Sequence, residues 1–148
     1  ADAPALVDAD YKLAEAQVTL PDVSMLKAPA IKAGYEVLGG DGVYGFQTPF
    51  ASLHAFQGWA DMFLNTPTAG IQDSYAGTSV TIEKVSAQVV WHDYRSDSGG
   101  KHYGSEWNAY FTRPLIENLV AGVKLADYNA KEFAVNTRKV WVSLDYKF

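Results

Sequence analysis

The sequence predicts an all-β chain whose strands form the antiparallel, up-and-down wall of a transmembrane β-barrel. Apolar and polar residues alternate with a period of two, which is the period of a β-strand with two different faces. Short and long connections alternate between these strands. No stretch reaches the roughly 18 consecutive apolar residues that a membrane-spanning helix needs. The 148 residues are enough for one domain, over 1–148.

Composition narrows the classes of protein further. The 12 Lys and Arg residues against 17 Asp and Glu residues give a formal charge of −5, which argues against a nucleic-acid partner. The absence of cysteine excludes a disulfide scaffold, a thiolate metal site and cysteine catalysis. Apolar residues make up 48% of the chain, yet the mean hydropathy is −0.12, so polar residues dilute them evenly. A soluble β-rich domain or a membrane β-barrel remains.

Seven segments have the alternation or the composition of strands. In the last segment, Val140 and Val142 fall on one face, whereas Trp141 and Ser143 fall on the other. The third and fourth segments are rich in β-branched and aromatic residues, but their facing is ambiguous. The predicted strands cover residues 14–20, 31–37, about 75–82, about 85–94, 106–112, 119–126 and 140–148.

The connections between the predicted strands are of two kinds, which alternate along the chain. Barrels of bacterial outer membranes have this asymmetry, with tight turns on one side and long loops on the other. The short connections cover 21–24, 83–84 and 114–118, and the long ones cover 39–74, 93–103 and 129–138.

The longest connection, 39–74, is expected to contain a short amphipathic helix over 49–63. Thr48 fits a helix N-cap, and Pro49 fits the first helical turn. Aromatic residues then follow at spacings of three and four residues. Such a helix either packs its aromatic face on the barrel rim or folds into the pore as a constriction. The candidates for the constriction are Phe50, Phe56, Trp59 and Asp61.

The direction of the two faces distinguishes a soluble protein from a membrane barrel. In a soluble β-protein the apolar face points into the core, whereas in a membrane barrel it meets lipid and the polar face lines the lumen. Small residues such as Ala14, Ala16 and Ala121 are abundant on the strands, where a small soluble core would need larger side chains. Aromatic residues near strand ends are expected to form interfacial girdles. They are Trp91, Tyr94, Tyr103, Tyr128, Tyr146 and Phe148.

Polar-face residues become pore-lining candidates if the chain is a barrel wall. Rings of charge along a narrow aqueous path set its ion preference. Alternatively, charges of mixed sign pair across neighbouring strands and keep the wall hydrated. The charges show no basic excess of the kind that passage of a polyanion would require. The candidates are Glu15, Lys32, Glu36, Glu106, Asn108, Lys124 and Asp145.

The last nine residues form an apolar series at every second position and end on an aromatic residue. The segment Val140–Phe148 resembles the C-terminal assembly signal of bacterial outer-membrane barrels, which the barrel-insertion machinery reads. The residues that carry this resemblance are Val140, Val142, Leu144, Tyr146 and Phe148.

A second resemblance covers more of the chain. The segments 32–42, 45–54 and 56–64, with the strand order from about Ala9 to Phe148, are similar to the C-terminal part of the alginate-export family of porin-like outer-membrane proteins. The resemblance implies a bacterial outer-membrane location and passive passage of small solutes or anionic saccharides. It also implies contact with outer-membrane lipid and with the insertion machinery, and neither catalysis nor a cofactor.

The number of strands departs from that family. Family barrels are larger, and bacterial single-chain barrels have an even number of strands. Seven strands place the first and the last in the same direction, so they cannot pair in antiparallel fashion. We therefore expect the wall to be completed by missing N-terminal strands of the same protein or by another copy.

Two other classes of protein also fit the alternating pattern, and a few residues are of the types found in metal or catalytic sites. The chain could be a secreted or periplasmic β-sandwich that binds carbohydrate through exposed Trp and Tyr, or an assembly module with open edge strands. His54, His92 and His102 lack the paired spacing of metal ligands, so we interpret them as surface or loop residues and predict no metal site. Ser52 and Asp61 near His54 lack a nucleophile elbow, so an enzyme is not expected.

Overall fold

The computed structural model describes residues 9–48, 54 and 56–148. Seven strands form one antiparallel sheet, in which each strand pairs with the next along the chain. This arrangement confirms the predicted all-β, up-and-down architecture. The strands are β1 (Tyr11–Thr19), β2 (Leu26–Leu38), β3 (Ile71–Ile82), β4 (Val85–Arg95), β5 (His102–Ile116), β6 (Leu119–Ala130) and β7 (Thr137–Tyr146).

Strands β1, β2, β3, β5 and β7 begin earlier than their sequence patterns predict, and the differences are largest for β2, β3 and β5. Strand β2 continues through Pro29 because an irregularity in its pairing with β3, between Lys27 and Ala30, absorbs the residue that cannot donate a hydrogen bond. Strand β3 begins at Ile71, where it pairs with Leu38, rather than near residue 75. The longest connection therefore covers 39–70.

The connections bear out the predicted alternation only in part, because 20–25 is as long as 96–101 and 131–136. The connections 20–25, 83–84 and 117–118 join the strands at one end of the sheet, which we call the short-turn end. The connections 39–70, 96–101 and 131–136 lie at the opposite, long-loop end.

The helix expected over 49–63 is wrong for the part that the structure describes. Residues 56–63 form turns and bends. Gln57, Gly58 and Asp61 have φ values of 49°, 80° and 60°, which a right-handed helix does not accommodate. The remaining residues of the expected helix, 49–53 and 55, lie outside the described residues.

No helix in the described part of the chain is long and apolar enough to cross a bilayer.

The two faces of the sheet have opposite burial. The polar face carries Glu36, Asp73 and Glu106, and connection 39–70 covers much of it, so that Asp73 is 1% exposed and Glu106 is 0% exposed. The apolar face is open, and its Val140 and Val142 are 60% and 77% exposed. This is the reverse of the arrangement in a soluble sheet, where apolar side chains are buried and charged ones are hydrated.

An aromatic core lies at the long-loop end. Phe63 packs with its ring centroid 4.7 Å from that of Tyr94, 5.8 Å from Tyr103, 6.0 Å from Tyr128 and 5.1 Å from Phe133. The expectation that Tyr94, Tyr103 and Tyr128 form an exposed girdle is therefore wrong, because the loop buries them. The other girdle candidates, Trp91, Tyr146 and Phe148, are exposed.

The described sheet is open rather than closed into a barrel. Its edges are β1 and β7, which both run from the long-loop end to the short-turn end. The described strands form one sheet, whereas the alternative β-sandwich would require two packed sheets.

Candidate functional site

The seven predicted pore-lining residues all belong to the polar face. Strand register places Glu36 opposite Asp73, His92 opposite Glu106, and Tyr110 opposite Lys124. Whether this face lines a pore stays a prediction. The register also adds residues that the sequence did not single out. By strand, the polar face carries Glu15 on β1, Lys27, Lys32 and Glu36 on β2, Asp73 on β3, His92 on β4, Glu106 and Asn108 on β5, Lys124 on β6, and Lys139 and Asp145 on β7.

Five consecutive residues of the long connection, 57–61, lie across the polar face, and we call them the strap. Gln57 Nε2 donates to Glu36 Oε2 on β2 at 2.7 Å. The backbone N–H of Ala60 donates to Glu106 Oε1 on β5 at 2.7 Å. The strap ends at Asp61, whose Oδ2 accepts from Lys139 Nζ on β7 at 2.9 Å. The strap thus crosses the polar face from β2, next to one edge of the sheet, to β7 at the other edge.

Glycine at position 58 lets the strap lie this close to the strands. Gly58 has a φ of 80°, a conformation that side chains with a Cβ rarely adopt. A Cβ added here would lie 2.6 Å from the carboxyl carbon of Glu106 and would also overlap the hydroxyl of Tyr94. The missing side chain therefore brings the backbone N–H groups of Trp59 and Ala60 within reach of Asn108 and Glu106.

The half of the polar face formed by β1–β4 is acidic. Tyr11 Oη donates to Glu36 Oε1 at 2.9 Å, and Tyr75 Oη donates to Glu15 Oε2 at 2.6 Å. Asp73 lies opposite Glu36 in the strand register and is buried, with His92 Nδ1 2.9 Å from its Oδ2. Tyrosine hydroxyls and one imidazole thus hold the three carboxylates in place, and connection 39–70 adds Gln57.

The half formed by β6 and β7 carries two lysines, and the loop engages both. Lys124 Nζ lies 4.8 Å from the ring centroid of Trp59, a cation–π contact, and 3.3 Å from His54 Nε2. His54 also contacts Asp61, with 2.6 Å between Nδ1 and Oδ1. Since Asp61 bonds Lys139 as well, the loop supplies partners to both cations.

Asp61 is ionised in the folded protein at neutral pH. Burial alone would raise the pKa of this carboxyl group, but the hydrogen bonds from Lys139 and His54 outweigh it. The net effect lowers the pKa below its ordinary value of 3.8. The contact with Lys139 is therefore an ion pair.

A groove follows β2 along the acidic half. At the long-loop end, a cavity of about 160 Å³ is lined by Tyr11, Glu36, Phe56 and Gln57, among others. Glu36 and Phe56 also line the next cavity, of about 240 Å³. That cavity shares Lys32 with a third, of about 70 Å³, which is nearer the short-turn end. The groove therefore runs in the direction of the strands, from one end of the sheet toward the other.

The constriction candidates have different surroundings. Phe56 is exposed and lines the groove, whereas Trp59 and Asp61 belong to the strap and contact Lys124 and Lys139. Phe50 lies outside the described residues.

Each histidine pairs with an aspartate. His102 Nε2 lies 2.8 Å from Asp93 Oδ1, in addition to the His54–Asp61 and His92–Asp73 contacts. The interpretation as surface or loop residues is wrong for His92, which lies within β4 and is largely buried. Among the described residues, no group of three or more His, Cys, Asp or Glu side chains is arranged to hold a metal ion. Ser52 lies outside the described residues.

The apolar side chains of the apolar face form a band across the strands, which we call the belt, and charged residues border this band. Trp91 and Trp107 lie directly opposite each other on β4 and β5. The Arg138–Asp127 ion pair lies in the same row, opposite Trp107, and the Arg95–Asp93 ion pair lies nearer the long-loop end, with N–O distances of 2.8 and 3.0 Å. One row of the belt crosses all seven strands through Val18, Ile31, Thr78, Val89, Ala109, Leu125 and Val140.

The predicted assembly residues are exposed. Val140, Val142, Leu144 and Tyr146 occupy the apolar face of β7, and Phe148 follows the strand with its side chain fully exposed. They are therefore accessible to lipid or to a protein that recognises them.

Comparison of the chain with protein-family models, with curated proteins and with solved structures gives no match.

Proposed function

We propose that this chain is part of the wall of a bacterial outer-membrane β-barrel that allows passive, non-catalytic passage of small solutes. The inverted burial of the sheet carries this proposal. Removing apolar surface from water is favourable by about 25 cal/mol per Å². An open apolar belt across seven strands is therefore stable only where something other than water covers it, and large patches of this kind mark interaction surfaces.

Lipid is the occupant that fits the belt. Transmembrane β-strands need about 9–11 residues, and the described strands have between 9 and 15. The paired Trp91 and Trp107 lie where the belt meets its charged border, which is the position of aromatic girdles at a bilayer interface. The belt is thus built like the outside of a membrane barrel.

The polar face supports the channel part of the proposal. In a membrane barrel this face lines an aqueous lumen, and loops folded inward narrow it. The strap lies on this face and contacts β2, β5 and β7. It therefore has the position of a constriction, although it is not helical.

The open edges of the sheet require further strands. In hydrocarbon, each unpaired backbone N–H or C=O costs several kcal/mol. Strands β1 and β7 run in the same direction and cannot pair in antiparallel fashion. The wall in our proposal is therefore completed by other strands of the same protein or by another copy, and the insertion machinery recognises the end of β7.

The charges of the polar face favour small solutes over anionic saccharides. Its strand residues include five carboxylates and four lysines, of which Lys27 pairs with Asp22 and two others contact the loop. A polyanion would meet repulsion along most of this surface. The carboxylates are Glu15, Glu36, Asp73, Glu106 and Asp145, and the lysines are Lys27, Lys32, Lys124 and Lys139.

Single cysteines on β7 test the proposal, because the chain has no cysteine of its own. Val142→Cys and Ser143→Cys would each carry a nitroxide label, in protein reconstituted into lipid vesicles. We expect the label at 142 to be accessible to oxygen dissolved in lipid, and the label at 143 to be accessible to a water-soluble nickel chelate. These adjacent residues belong to opposite faces, so each is the control for the other.

A soluble protein would give a different result. Its label at 142 would be as accessible to the nickel chelate as the label at 143. The protein would also remain in the aqueous phase without detergent. Either outcome would refute the membrane assignment.

A further inference from the structure

We propose that the groove along β2 gives the channel a preference for cations, including small solutes that carry an ammonium group. This inference rests on the proposed function and names the class of solute that the channel favours. It is based on the charges and aromatic rings that line the groove and on the loop contacts of the lysines elsewhere on the polar face.

The charged residues of the groove are mainly acidic. Glu15 and Glu36 line its largest cavity, together with the single lysine Lys32. Asp73, opposite Glu36 in the strand register, is a third carboxylate close by, but it is 1% exposed and contacts the imidazole of His92. A narrow path lined by one sign of charge concentrates ions of the opposite sign. The groove therefore favours a positive solute.

The lysines of β6 and β7 do not offset this preference. Lys139 forms an ion pair with Asp61 of the strap, and Lys124 contacts Trp59 and His54. Asp61 supplies a negative charge on the same side, so this half adds little net positive charge to the path. These contacts lie on the same face as the groove but near the other edge of the sheet.

Aromatic rings complete a surface suited to ammonium groups. Tyr11, Phe56 and Tyr75 line the groove beside the two carboxylates. Ring faces attract cations, and the Nζ atom of Lys32 already lies 5.4 Å from the ring centroid of Tyr75. An alkylammonium solute would have the same contact available at the exposed ring of Phe56, next to Glu36.

The reversal potential of the reconstituted channel tests this inference. The full-length protein would be placed in planar bilayers under a KCl gradient. We expect K⁺ to be more permeant than Cl⁻. Glu15→Gln should lower the permeability ratio about fivefold, since a unit charge a few ångströms away in water is worth about that factor. Lys32→Gln should raise the ratio.

The variants distinguish the groove from a general effect of charge. Glu15 is exposed and accepts a hydrogen bond from Tyr75, so Glu15→Gln is expected to fold. Asp127→Asn, on the apolar face, removes the same charge outside the groove and should leave the ratio unchanged. Anion selectivity, or a ratio that Glu15→Gln and Lys32→Gln do not move, would overturn this inference alone. Absence of any conductance would overturn the proposed function and the inference together.

Discussion

The polar and apolar faces of this sheet belong to the same seven strands but are stabilised in different ways. On the polar face, side chains bond to the strap at defined distances, as Glu36 and Glu106 do. On the apolar face, residues such as Val142 contact little within the chain. One face is therefore stabilised from within the chain, whereas the other depends on its surroundings. Substitutions on the polar face should therefore change the stability of the docked loop, whereas substitutions on the apolar face should change assembly or stability in a membrane.

The largest effect is expected at the end of the chain. Changing Tyr146 and Phe148 together to Ala should abolish assembly into the outer membrane, while the detergent-refolded protein keeps its β-content. The reason is that both side chains are exposed and contribute little to internal packing. Protease protection in cells and far-ultraviolet circular dichroism measure the two effects. The control is Ser143→Ala with Asp145→Ala, on the other face, and normal insertion of the aromatic variant would contradict the assembly signal.

On the polar face, Phe63→Ala should have the greatest effect on stability. It removes the ring at the centre of the aromatic core and should lower the free energy of loop docking by about 3–5 kcal/mol. Hydrogen exchange of residues 56–63 would measure this loss. Phe111→Ala, an exposed position on the apolar face, is the control and should leave the loop protected. Equal effects of the two variants would remove the distinction between the faces.

Neighbouring residues of β4 give a direct comparison of the faces in a bilayer. Val89 belongs to the apolar row and Gln88 to the polar face. Val89→Arg should destabilise the protein in vesicles by about 2–4 kcal/mol, the cost of arginine facing lipid near the midplane. Gln88→Arg should have a small effect, because its charge would meet water. Denaturant unfolding in vesicles measures both, and the reverse order would place lipid on the polar face.

A smaller effect is expected where two strands of the polar face lie in close contact. The ring of Tyr75 packs directly over Gly34, so a methyl group at this position would overlap it. Gly34→Ala should therefore displace the ring, disrupt the Tyr75–Glu15 hydrogen bond and cost about 1–3 kcal/mol. If the cause is this overlap, adding Tyr75→Ala to the Gly34→Ala variant should cost less than the sum of the single effects. Additive unfolding free energies would argue for another cause.

The smallest effect concerns pH. The folded-state pKa of Asp61 is lowered, so its contribution to loop docking is complete above the ordinary value of 3.8 and is lost as the pH falls through the folded pKa. The protection of the strap amides, measured as the intrinsic exchange rate at each pH divided by the observed rate, should therefore fall below pH 4. Asp61→Asn should flatten this dependence. Asp22→Asn is the control, because the pKa of Asp22 is also lowered, by hydrogen bonds from Ala28 and Lys27, but it lies at the short-turn end. An unchanged profile in Asp61→Asn would exclude the ion pair as the cause.

Sequence reasoning predicted what depends on local periodicity. The alternation along β7, from Val140 to Tyr146, is enough to identify a strand and its faces, because successive side chains point to opposite sides. The positions of Tyr94 and Tyr128 could have been predicted from the same rule. They share the alternation of His92 and Lys124, which belong to the polar face. Their nearness to strand ends suggested a lipid girdle instead.

The strap could not be predicted from local patterns. The spacing of a helix is present at Phe56, Trp59 and Phe63, but the described part of this segment is not helical. Instead, Phe56 lines the groove, and the other two rings pack on the sheet. The contact between Asp61 and Lys139 joins residues 78 positions apart, so no window of sequence contains both. Long-range contacts of this kind depend on the whole sheet.

The separation of these partners also orders the events of folding. The strap reaches Glu106, Asn108 and Lys139, which follow it by 46, 49 and 78 residues. Its docking must therefore wait until β5 and β7 have joined the sheet, since closing such large loops is entropically unfavourable until the partner strands are in place. During assembly the strands can pair before the loop covers them. In the channel that we propose, the passage would therefore narrow only after β7 has supplied Lys139.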